Sequence, residues 1–192
     1  MIKFERVQTE EDRIAMHKLR YDVFCLEKQF LDANDYPEEM EYDEWDEHST
    51  HFIASGEMGI IATARLIPND IIKLPIEKYF DIEIPSDSSK IFAEFSRLIV
   101  HPTFRGMSFQ VTGGLYVAMY NYSRKEGITD WYAILDKHLH NAYSQYGFLF
   151  RQIGEPRHCF GDVTAPYVVS LEEARTYFKT HNPALYKLLL RP

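Results

Sequence analysis

The sequence contains few cysteines and no apolar segment of membrane-spanning length. Cys25 and Cys159 cannot form a disulfide framework, and we interpret both as small buried hydrophobic residues rather than redox or catalytic groups. The segment 1–6 lacks the apolar centre of a signal peptide. We therefore expect a cytoplasmic protein without a membrane-spanning segment.

The sequence also lacks a basic patch. Its formal net charge is -8, and residues 1–50 hold fifteen acidic side chains against six basic ones. No basic stripe or nucleic-acid-binding motif is present, so we expect no nucleic-acid partner. The acid excess is concentrated in residues 28–47, which is typical of a solvated loop, although such a segment could also hold a cationic group such as an amine.

The sequence also lacks the motifs that are typical of metal-binding and nucleotide-binding proteins. His48 and His51 follow the acidic segment, but no HExxH or comparable ligand spacing is present. His138 and His140 would diverge on a helix. The glycine-containing stretches farther along the chain do not form a dinucleotide fingerprint after a strand. We expect neither a metal ion nor a bound cofactor.

What is present is the composition of an ordinary globular protein. The chain has 192 residues, 45% of them hydrophobic and 26% charged, so we predict a single domain over residues 1–192. Strand and helix patterns alternate, which predicts an α/β fold with a mixed sheet flanked by helices. The predicted strands are 2–8, 51–54, 59–67, 91–100, 128–135, 148–153 and 167–170; the predicted helices are 10–27, 108–125, 136–146, 171–180 and 183–190, with one turn near 76–80.

The first predicted helix combines a capping signal with an apolar stripe. Thr9 followed by three acidic residues is typical of a helix N-terminus. Val23 and Leu26 belong to the stripe that we expect to face the core. Arg20 and Phe24 lie four positions apart, so we expect them to be neighbours on the adjoining face.

One apolar run contains two charged residues. Glu94 and Arg97 lie inside the predicted strand 91–100, and burying an unpaired charge is too costly without a partner or a catalytic role. In a regular strand these two side chains would point to opposite faces. A bulge at Phe95 or Ser96 would bring both to one side and expose backbone N–H groups. The alternative is a structural salt bridge at a strand edge.

The charged and aromatic residues of the first half of the chain follow a recognisable order. An Arg-x-x-x-Phe pair in the first helix precedes an Asp-x-x-Asp pair in the acidic segment. An arginine in a strand and the Glu-x-Ser-Arg of the apolar run come next. The set in chain order is Arg20, Phe24, Asp43, Asp46, Arg65, Glu94, Ser96 and Arg97.

This order resembles the signature of acyl-homoserine-lactone synthases. It is still more similar to their sister group, the N-acyl amino acid synthases and exosortase-associated acyltransferases, over roughly residues 4–170. Phe30 stands where the lactone synthases frequently have a tryptophan, which weakens the similarity to that group. The segments that favour the sister group are 20–25, 42–49, 154–161 and 165–167.

The resemblance implies a GNAT-type N-acyltransferase fold, in which a splayed strand pair holds the thioester arm and the acyl group. It implies transfer of a fatty acyl group from an acyl carrier protein to the amine of an amino acid or similar small molecule. The phosphopantetheine thioester is then the donor substrate. The substrate-binding candidates at matching positions are Arg20, Phe24, Phe30, Asp43, Asp46 and Arg65.

The catalytic candidates are Glu94, Ser96 and Arg97. A protonated amine must lose a proton before or during attack, and Glu94, or a water that it holds, is the expected base. Backbone N–H groups at Ser96 and its neighbours would stabilise the oxyanion. Asp43 and Asp46 would order the substrate loop or hold the ammonium group. One of the arginines would bind an acceptor carboxylate, or Arg97 would do no more than brace the acidic loop.

The phosphate-binding loop of acetyl-coenzyme A enzymes is degenerate in this chain. Residues 105–114 occupy its expected place after the Glu94 strand and do not have the Arg-x-x-Gly-x-Gly spacing. This agrees with a carrier-protein donor. An acidic carrier would dock on local bases despite the negative net charge, and the candidates are Arg105, Arg124, Lys125 and Arg151.

Two alternatives to the N-acyl amino acid synthase remain open at this stage. The first is a homoserine-lactone synthase that takes S-adenosylmethionine as the acceptor. The second is a non-catalytic domain of the same fold that binds an acyl ligand. The mass of the product distinguishes a homoserine-lactone synthase from an N-acyl amino acid synthase. Ligand binding without turnover would identify a non-catalytic domain.

Overall fold

The computed structural model describes residues 1–69, 72–85 and 90–190. The mixed α/β class expected from the sequence is confirmed. The strands are β1 (Lys3–Arg6), β2 (Thr50–Gly56), β3 (Gly59–Pro68), β4 (Ile91–Val100), β5 (Ile128–Asp136), β6 (Arg151–Gln152), β7 (Arg157–Cys159) and β8 (Asp162–Ser170). The α-helices are α1 (Glu10–Tyr21), α2 (Pro75–Tyr79), α3 (Ser108–Lys125), α4 (Lys137–Tyr146), α5 (Leu171–His181) and α6 (Pro183–Leu189).

The chain divides into two compact units. The first contains Met1–Ile67 and Ser96–Met119, and the second contains Pro68–Phe95 and Tyr120–Pro192. The chain passes from one unit to the other at three points: before the last residue of β3, between the fifth and sixth residues of β4, and inside α3. The organisation as one domain over residues 1–192 stays a prediction. In the described parts of the chain, no helix is long and apolar enough to cross a bilayer.

The first unit is built on an antiparallel meander. β1 pairs with β2 and β2 pairs with β3, both antiparallel, and β4 follows β3 in the strand order. The ring of Phe4 on β1 occupies the space beside Gly114 in α3, where an added Cβ would lie 2.2 Å from Phe4 Cζ. Glycine therefore lets β1 and α3 approach closely. Buried apolar side chains of this unit include Met16, Phe52, Ile53, Leu66 and Leu115.

The second unit contains the parallel part of the sheet. β4 pairs in parallel with β5 from Ile91 to Glu94, and β5 pairs antiparallel with β8. β6 and β7 both pair antiparallel with β8. Trp131 on β5 is fully buried, and its indole N–H donates to Ser123 Oγ at 2.9 Å. Its ring packs on Phe148 at a centroid distance of 5.9 Å, which places an aromatic core beneath this part of the sheet.

The first predicted helix changes type before it ends. α1 begins after Thr9, whose hydroxyl accepts from the Asp12 N–H at 3.1 Å, as expected. Residues Asp22–Glu27 then form a π-helix. Because a π-turn is wider than an α-turn, the 3.6-residue stripe rotates out of register. Val23 is buried as predicted, but Leu26 is 55% exposed, so its assignment to the core was wrong.

The last part of the sheet also differs from prediction. The predicted strand 148–153 is reduced to β6, whereas the predicted strand 167–170 begins earlier, as β8. β7 pairs with the start of β8 in a hairpin that the sequence did not indicate. Its turn residues, Phe160 and Gly161, have φ values of 56° and 77°. A Phe-Gly pair is not a usual signal for such a turn, which explains the omission.

Candidate active site

Six charged side chains meet in the first unit and form the candidate active-site cluster. Three are arginines and three are carboxylates, so their formal charges cancel. The set is contributed by α1, the acidic segment, β3 and the second half of β4. Its members are Arg20, Glu41, Asp43, Asp46, Arg65 and Arg97.

Arg20 is the fully buried member of the cluster on α1. Its two terminal nitrogens donate to the two oxygens of Asp46 at 2.7 and 3.0 Å, and its Nε donates to Glu41. Burial alone would lower the pKa of Arg20, but the charges of Glu41 and Asp46 raise it above its ordinary value. Arg20 is therefore a permanent cation that anchors the acidic segment to α1.

Arg65 joins the acidic segment to β4. Its Nη1 donates to Asp43 Oδ1 at 2.6 Å and to Asp46 Oδ1 at 2.9 Å, and its Nε donates to Ser96 Oγ at 3.0 Å. The side chain is only 1% exposed. Arg65 therefore orders the two aspartates and the Ser96 hydroxyl, and solvent does not reach most of it.

Arg97 is the most accessible arginine of the cluster, with its side chain 16% exposed. Its Nε and Nη2 donate to Glu41, and Nη2 also donates to Asp43 Oδ2 at 2.9 Å. Within the described part of the chain, Nη1 takes part in no hydrogen bond. The guanidinium carbon lies 5.4 Å from the centre of the Phe24 ring. Among the described residues, the Nε and Nη2 atoms of Arg97 therefore bind carboxylates, and its Nη1 can donate to a ligand.

The backbone of β4 is irregular at Arg97, where φ is 53°. This left-handed conformation is uncommon for a residue other than glycine, and it interrupts the alternation of side chains along the strand. We expected an irregularity at Phe95 or Ser96, and the positive φ value lies just after those positions. Backbone strain of this kind often marks a functional site.

Glu41 is the cluster member that the sequence analysis missed. It is 0% exposed and accepts hydrogen bonds from Arg20 and Arg97. Burial would raise the pKa of Glu41, but the charges of Arg97 and Arg20 lower it to about 2. Among the nine acids of residues 28–47, only its spacing from Asp43 and Asp46, Glu-x-Asp-x-x-Asp, could have indicated it.

Local turns hold the acidic segment in shape. The Asp46 carboxylate accepts from the Asp43 N–H at 2.7 Å, and the Asp43 carboxylate accepts from the Trp45 N–H at 3.0 Å. Trp45 is buried, and the Ser49 hydroxyl donates to its carbonyl at 2.6 Å. Because Asp side chains of this kind mimic a backbone turn, the predicted solvated loop is an ordered support for the cluster.

Two histidines, the buried His17 and the partly buried His51, pack behind the acidic segment. His17 Nδ1 lies 2.8 Å from the Glu41 carbonyl, and His51 Nε2 lies 3.1 Å from the Asp46 carbonyl. Burial lowers the pKa of both, that of His51 to about 4. A neutral imidazole must donate to a carbonyl, so each ring fixes the backbone of the acidic segment. No metal-binding group of three or more ligands occurs among the described residues.

An open groove of about 1400 Å³ lies between the start of α1 and the acidic segment. Asp43 and Asp46 line it, together with Tyr42, His17 and His51. Both aspartates are already paired with arginines of the cluster. The groove therefore gives solvent access to the carboxylate side of the cluster.

Glu94 lies in the second unit and is 1% exposed. Its Oε2 accepts a hydrogen bond of 2.7 Å from the backbone N–H of Ile76, the second residue of α2. A buried carboxylate that accepts such a bond is held in one orientation. The sequence predicted that a buried carboxylate at this position would have either a partner or a catalytic role. The Ile76 N–H is one such partner.

The remaining predicted site residues lie outside the six-residue cluster. Phe30 follows the π-helix, is 39% exposed, and donates its N–H to the Phe24 carbonyl at 2.9 Å. Arg105 forms two bonds of 2.6 Å to Glu27, so its guanidinium already has a carboxylate partner. Three further carrier-docking candidates, Arg124, Lys125 and Arg151, are exposed.

The two cysteines have no role in this cluster. Cys25 is buried as expected, whereas Cys159 is only partly buried. Burial raises the pKa of the Cys25 thiol to about 11 and also raises that of Cys159. Both thiols are therefore protonated near neutral pH, which argues against a nucleophilic cysteine.

A protein-family model for N-acyl amino acid synthase FeeM matches residues 15–171 of this chain. No curated protein sequence matches it. The matched span contains all members of the charged cluster together with Glu94. The resemblance to N-acyl amino acid synthases that we inferred from the order of the motifs is confirmed.

Solved structures share the fold of this chain. The CoA-dependent acyl-homoserine lactone synthase BjaI superposes with a TM-score of 0.75 at 18% identity, over 93% of this chain and 89% of that protein. FeeM, an N-acyl amino acid synthase from uncultured soil microbes, gives 0.69 at 17% identity, over 92% and 94%. The lactone synthase LasI gives 0.72 at 17% identity, over 89% of each chain. The prediction of a GNAT-type acyltransferase fold is confirmed.

Proposed function

Because the chain belongs to the N-acyl amino acid synthase FeeM family, we propose that it transfers a fatty acyl group from an acyl carrier protein to the amine of an amino acid. The products are an N-acyl amino acid and the free thiol of the phosphopantetheine arm. The observation that carries the acceptor class is the geometry of Arg97, whose Nη1 is available while the rest of the guanidinium is held by carboxylates.

Arg97 is the acceptor-binding arginine in this proposal. Arg20 and Arg65 are 0% and 1% exposed and are committed to the aspartates, whereas Arg97 is 16% exposed. Its Nη1 can donate to an acceptor carboxylate without breaking an existing hydrogen bond. The Phe24 ring beneath the guanidinium holds its plane in place, and Phe30 follows on the same segment.

The aspartates have a supporting role. Asp43 and Asp46 are each paired with two arginines, so they have no excess charge with which to hold an ammonium group. They hold Arg65 and Arg97 in position instead. Of the two roles considered for these acids, ordering the substrate segment is therefore the one that we propose.

Glu94 acts as the base in the proposed reaction. It removes a proton from the acceptor ammonium, directly or through one water, before the free amine attacks the thioester carbonyl. The carbonyl oxygen becomes an oxyanion, for which the backbone N–H groups around Ser96 are the proposed donors. Glu94 is the first residue of the Glu-x-Ser-Arg order on which the resemblance to N-acyl amino acid synthases rests, and this supports its assignment as the base.

A pair of substitutions tests these two roles. Glu94→Gln keeps the size of the side chain but cannot accept the proton, so we expect kcat to fall about 10²–10⁴-fold. Arg97→Lys keeps the charge but loses the planar guanidinium, which can donate from several nitrogens at once. We therefore expect the acceptor KM to rise about 10–100-fold with little change in the donor KM. Steady-state kinetics on folded proteins measure both. Full activity in Glu94→Gln would eliminate Glu94 as the base.

The donor is a separate part of the proposal. The degenerate segment 105–114 supports a carrier protein, which contributes a phosphopantetheine arm but no nucleotide diphosphate for such a loop to bind. The relative BjaI is described as CoA-dependent, so acyl-CoA is the competing donor. We expect kcat/KM to be at least about tenfold higher with acyl carrier protein than with the matching acyl-CoA. The opposite preference would reject the carrier.

The carrier would dock through exposed bases. Arg124, Lys125 and Arg151 are exposed, whereas Arg105 must exchange its bond to Glu27 before it can contact a carrier. Docking on a rim of charges affects the association rate and its dependence on salt. Replacing Arg151 by glutamate should therefore raise the KM of the carrier and leave that of the acceptor unchanged.

Lactone synthesis is the second candidate function, because BjaI and LasI share the fold. Such an enzyme would acylate the amine of S-adenosylmethionine, and attack of the carboxylate on the carbon next to sulfur would then release methylthioadenosine and an acyl-homoserine lactone. The same protein incubated with this acceptor distinguishes the two activities through the mass of the product. A protein that binds the acyl donor but forms neither product would be a non-catalytic binding domain.

A further inference from the structure

The short helix α2 presents one backbone donor to Glu94. Pro75 is the first residue of α2, and the N–H of Ile76, the second residue, has no partner inside the helix. That N–H donates to Glu94 Oε2 at 2.7 Å. The Leu74 N–H donates to the Glu77 carboxylate at 3.0 Å, which closes the first turn. The orientation of α2 therefore determines whether the Ile76 N–H can donate to Glu94.

α2 depends on other elements for its order. It spans only the five residues Pro75–Tyr79, and a helix of this length is not stable alone because nucleation is costly. Ile76 is 0% exposed and Phe80, which follows the helix, is 2% exposed. Packing around the end of α2 therefore fixes its position.

Side chains of the β7–β8 hairpin contact the end of α2. The ring of Phe160, in the hairpin turn, meets the ring of Tyr79 edge to face at a centroid distance of 4.7 Å. Arg157 on β7 donates to Asp81 Oδ2 at 2.5 Å and to the Tyr79 carbonyl at 3.5 Å. Its guanidinium also lies 5.9 Å from the Phe80 ring. These contacts all fall on the C-terminal end of α2 and the residues after it.

Phe160 has an unfavourable backbone conformation in the turn, and the contact of its ring with Tyr79 offsets the strain. Phe160 and Gly161 have φ values of 56° and 77°, and β7 and β8 pair directly on either side of them. Two-residue turns with both φ values positive favour asparagine followed by glycine. A phenylalanine in this conformation is strained. The edge-to-face contact with Tyr79 is the compensating interaction that an asparagine could not make.

We propose that the β7–β8 hairpin is a clamp that holds the Ile76 N–H against Glu94, and that Phe160 and Arg157 are positioning residues for acyl transfer. The inference rests on the proposed role of Glu94 as the base. Loosening the clamp weakens a hydrogen bond to the carboxylate, and a carboxylate that loses a donor binds a proton more readily. The clamp thus adjusts the pH at which the base becomes active.

The substitution Phe160→Asn tests the clamp without destroying the hairpin. Asparagine tolerates the positive φ value, so the turn should remain formed while the contact with Tyr79 is lost. The pH titration of the Ile76 amide proton, followed by NMR with isoleucine labelled with ¹⁵N, reports on the carboxylate without any turnover. We expect its midpoint to rise by about half a pH unit in Phe160→Asn and to stay unchanged in Phe160→Tyr.

Activity gives the second measurement. The acid limb of the kcat/KM profile should move to higher pH by the same amount in Phe160→Asn and in Arg157→Ala, and the donor KM should not change. Phe160→Tyr keeps the aromatic ring and should therefore retain the wild-type pH profile. The matched control is Val163→Thr, on the same hairpin, where the side chain is 55% exposed and should not affect either measurement.

The two measurements separate the inference from the function on which it rests. An Ile76 titration that is identical in wild type and Phe160→Asn, with the hairpin intact in the NMR spectrum, would overturn the clamp. A shifted titration together with full activity in Glu94→Gln would keep the contact but overturn Glu94 as the base. A shift in both the titration and the acid limb supports the inference.

Discussion

Glu41 shows at the scale of single residues how the cluster is held together. It is fully buried and accepts hydrogen bonds from Arg20 and Arg97, and its pKa is lowered to about 2. Removing one partner from a buried ion pair leaves the other charges uncompensated. The contribution of Glu41 is therefore structural first, and it would affect the proposed acceptor site through the position of Arg97.

Glu41→Gln should strongly destabilise the protein. The neutral amide leaves Arg20 and Arg97 without a full counter-charge, so we expect the free energy of unfolding to fall by about 3–5 kcal/mol. Urea denaturation measures the loss. Glu38→Gln, an exposed position in the same segment, is the control and should change stability by no more than about 0.5 kcal/mol. Equal effects of the two substitutions would contradict the structural role of Glu41.

His51 gives a prediction for the pH dependence of stability. Burial lowers its pKa from an ordinary value of 6.5 to about 4, so the unfolded chain binds the proton more tightly than the folded protein does. The stabilisation is fully present above pH 6.5 and is lost as the pH falls toward 4. The loss attributable to His51 is up to about 3 kcal/mol.

Chemical denaturation at a series of pH values tests this prediction. His51→Gln can still donate to the Asp46 carbonyl but does not titrate, so its stability should decline less between pH 6.5 and 4 than that of the wild type. His158→Gln, at an exposed histidine, should follow the wild-type curve. An unchanged pH dependence in His51→Gln would show that His51 is not held neutral by the fold.

The order of the motifs indicated five of the six members of the charged cluster. Arg20, Asp43, Asp46, Arg65 and Arg97 were expected to act together, and all five meet in one cluster. Their order along the chain carried this prediction. The missing member, Glu41, is one acid among nine in its segment, and burial is a property of the folded chain that local composition does not encode.

At the scale of elements, the approach of β1 to α3 depends on a glycine. The ring of Phe4 lies 2.2 Å from the position that a Cβ on Gly114 would take. An alanine there must displace the ring, although alanine favours a helix over glycine by about 1 kcal/mol. The two effects have opposite signs, which makes the contact testable.

Gly114→Ala should lower the free energy of unfolding by about 1–3 kcal/mol in the wild-type background, because the ring of Phe4 is forced out of its site. In a Phe4→Ala background the clash is absent, so the same substitution should stabilise the protein by up to about 1 kcal/mol. A double-mutant cycle by urea denaturation measures the reversal of sign. The same sign in both backgrounds would show that Phe4 does not pack on Gly114.

Elements with a regular period were predicted well, and those with irregular backbone were not. α3, β3 and β5 follow the expected ranges closely because their apolar patterns are long. The π-helix Asp22–Glu27 and the β7–β8 hairpin were missed. Both depend on backbone conformations that tertiary packing stabilises and that no local residue preference specifies.

At the scale of the whole molecule, the fold is shared with synthases at only 17–18% identity. Burial patterns and element order are enough to maintain such a fold, whereas the chemistry depends on the few side chains that it positions. In this chain the side chains that we propose for this role are a neutral cluster around Arg97 and the buried Glu94. The acyl chain length depends on packing that the sequence patterns do not describe.

The product of the reaction tests the central claim most directly. Purified protein is incubated with acyl carrier proteins loaded with a series of acyl chains, a mixture of amino acids and S-adenosylmethionine, and the products are identified by mass spectrometry. We predict an N-acyl amino acid with a free carboxylate, formed by the wild type and greatly reduced in Glu94→Gln. An acyl-homoserine lactone, or tight binding of the acyl carrier protein without any acylated product, would contradict it.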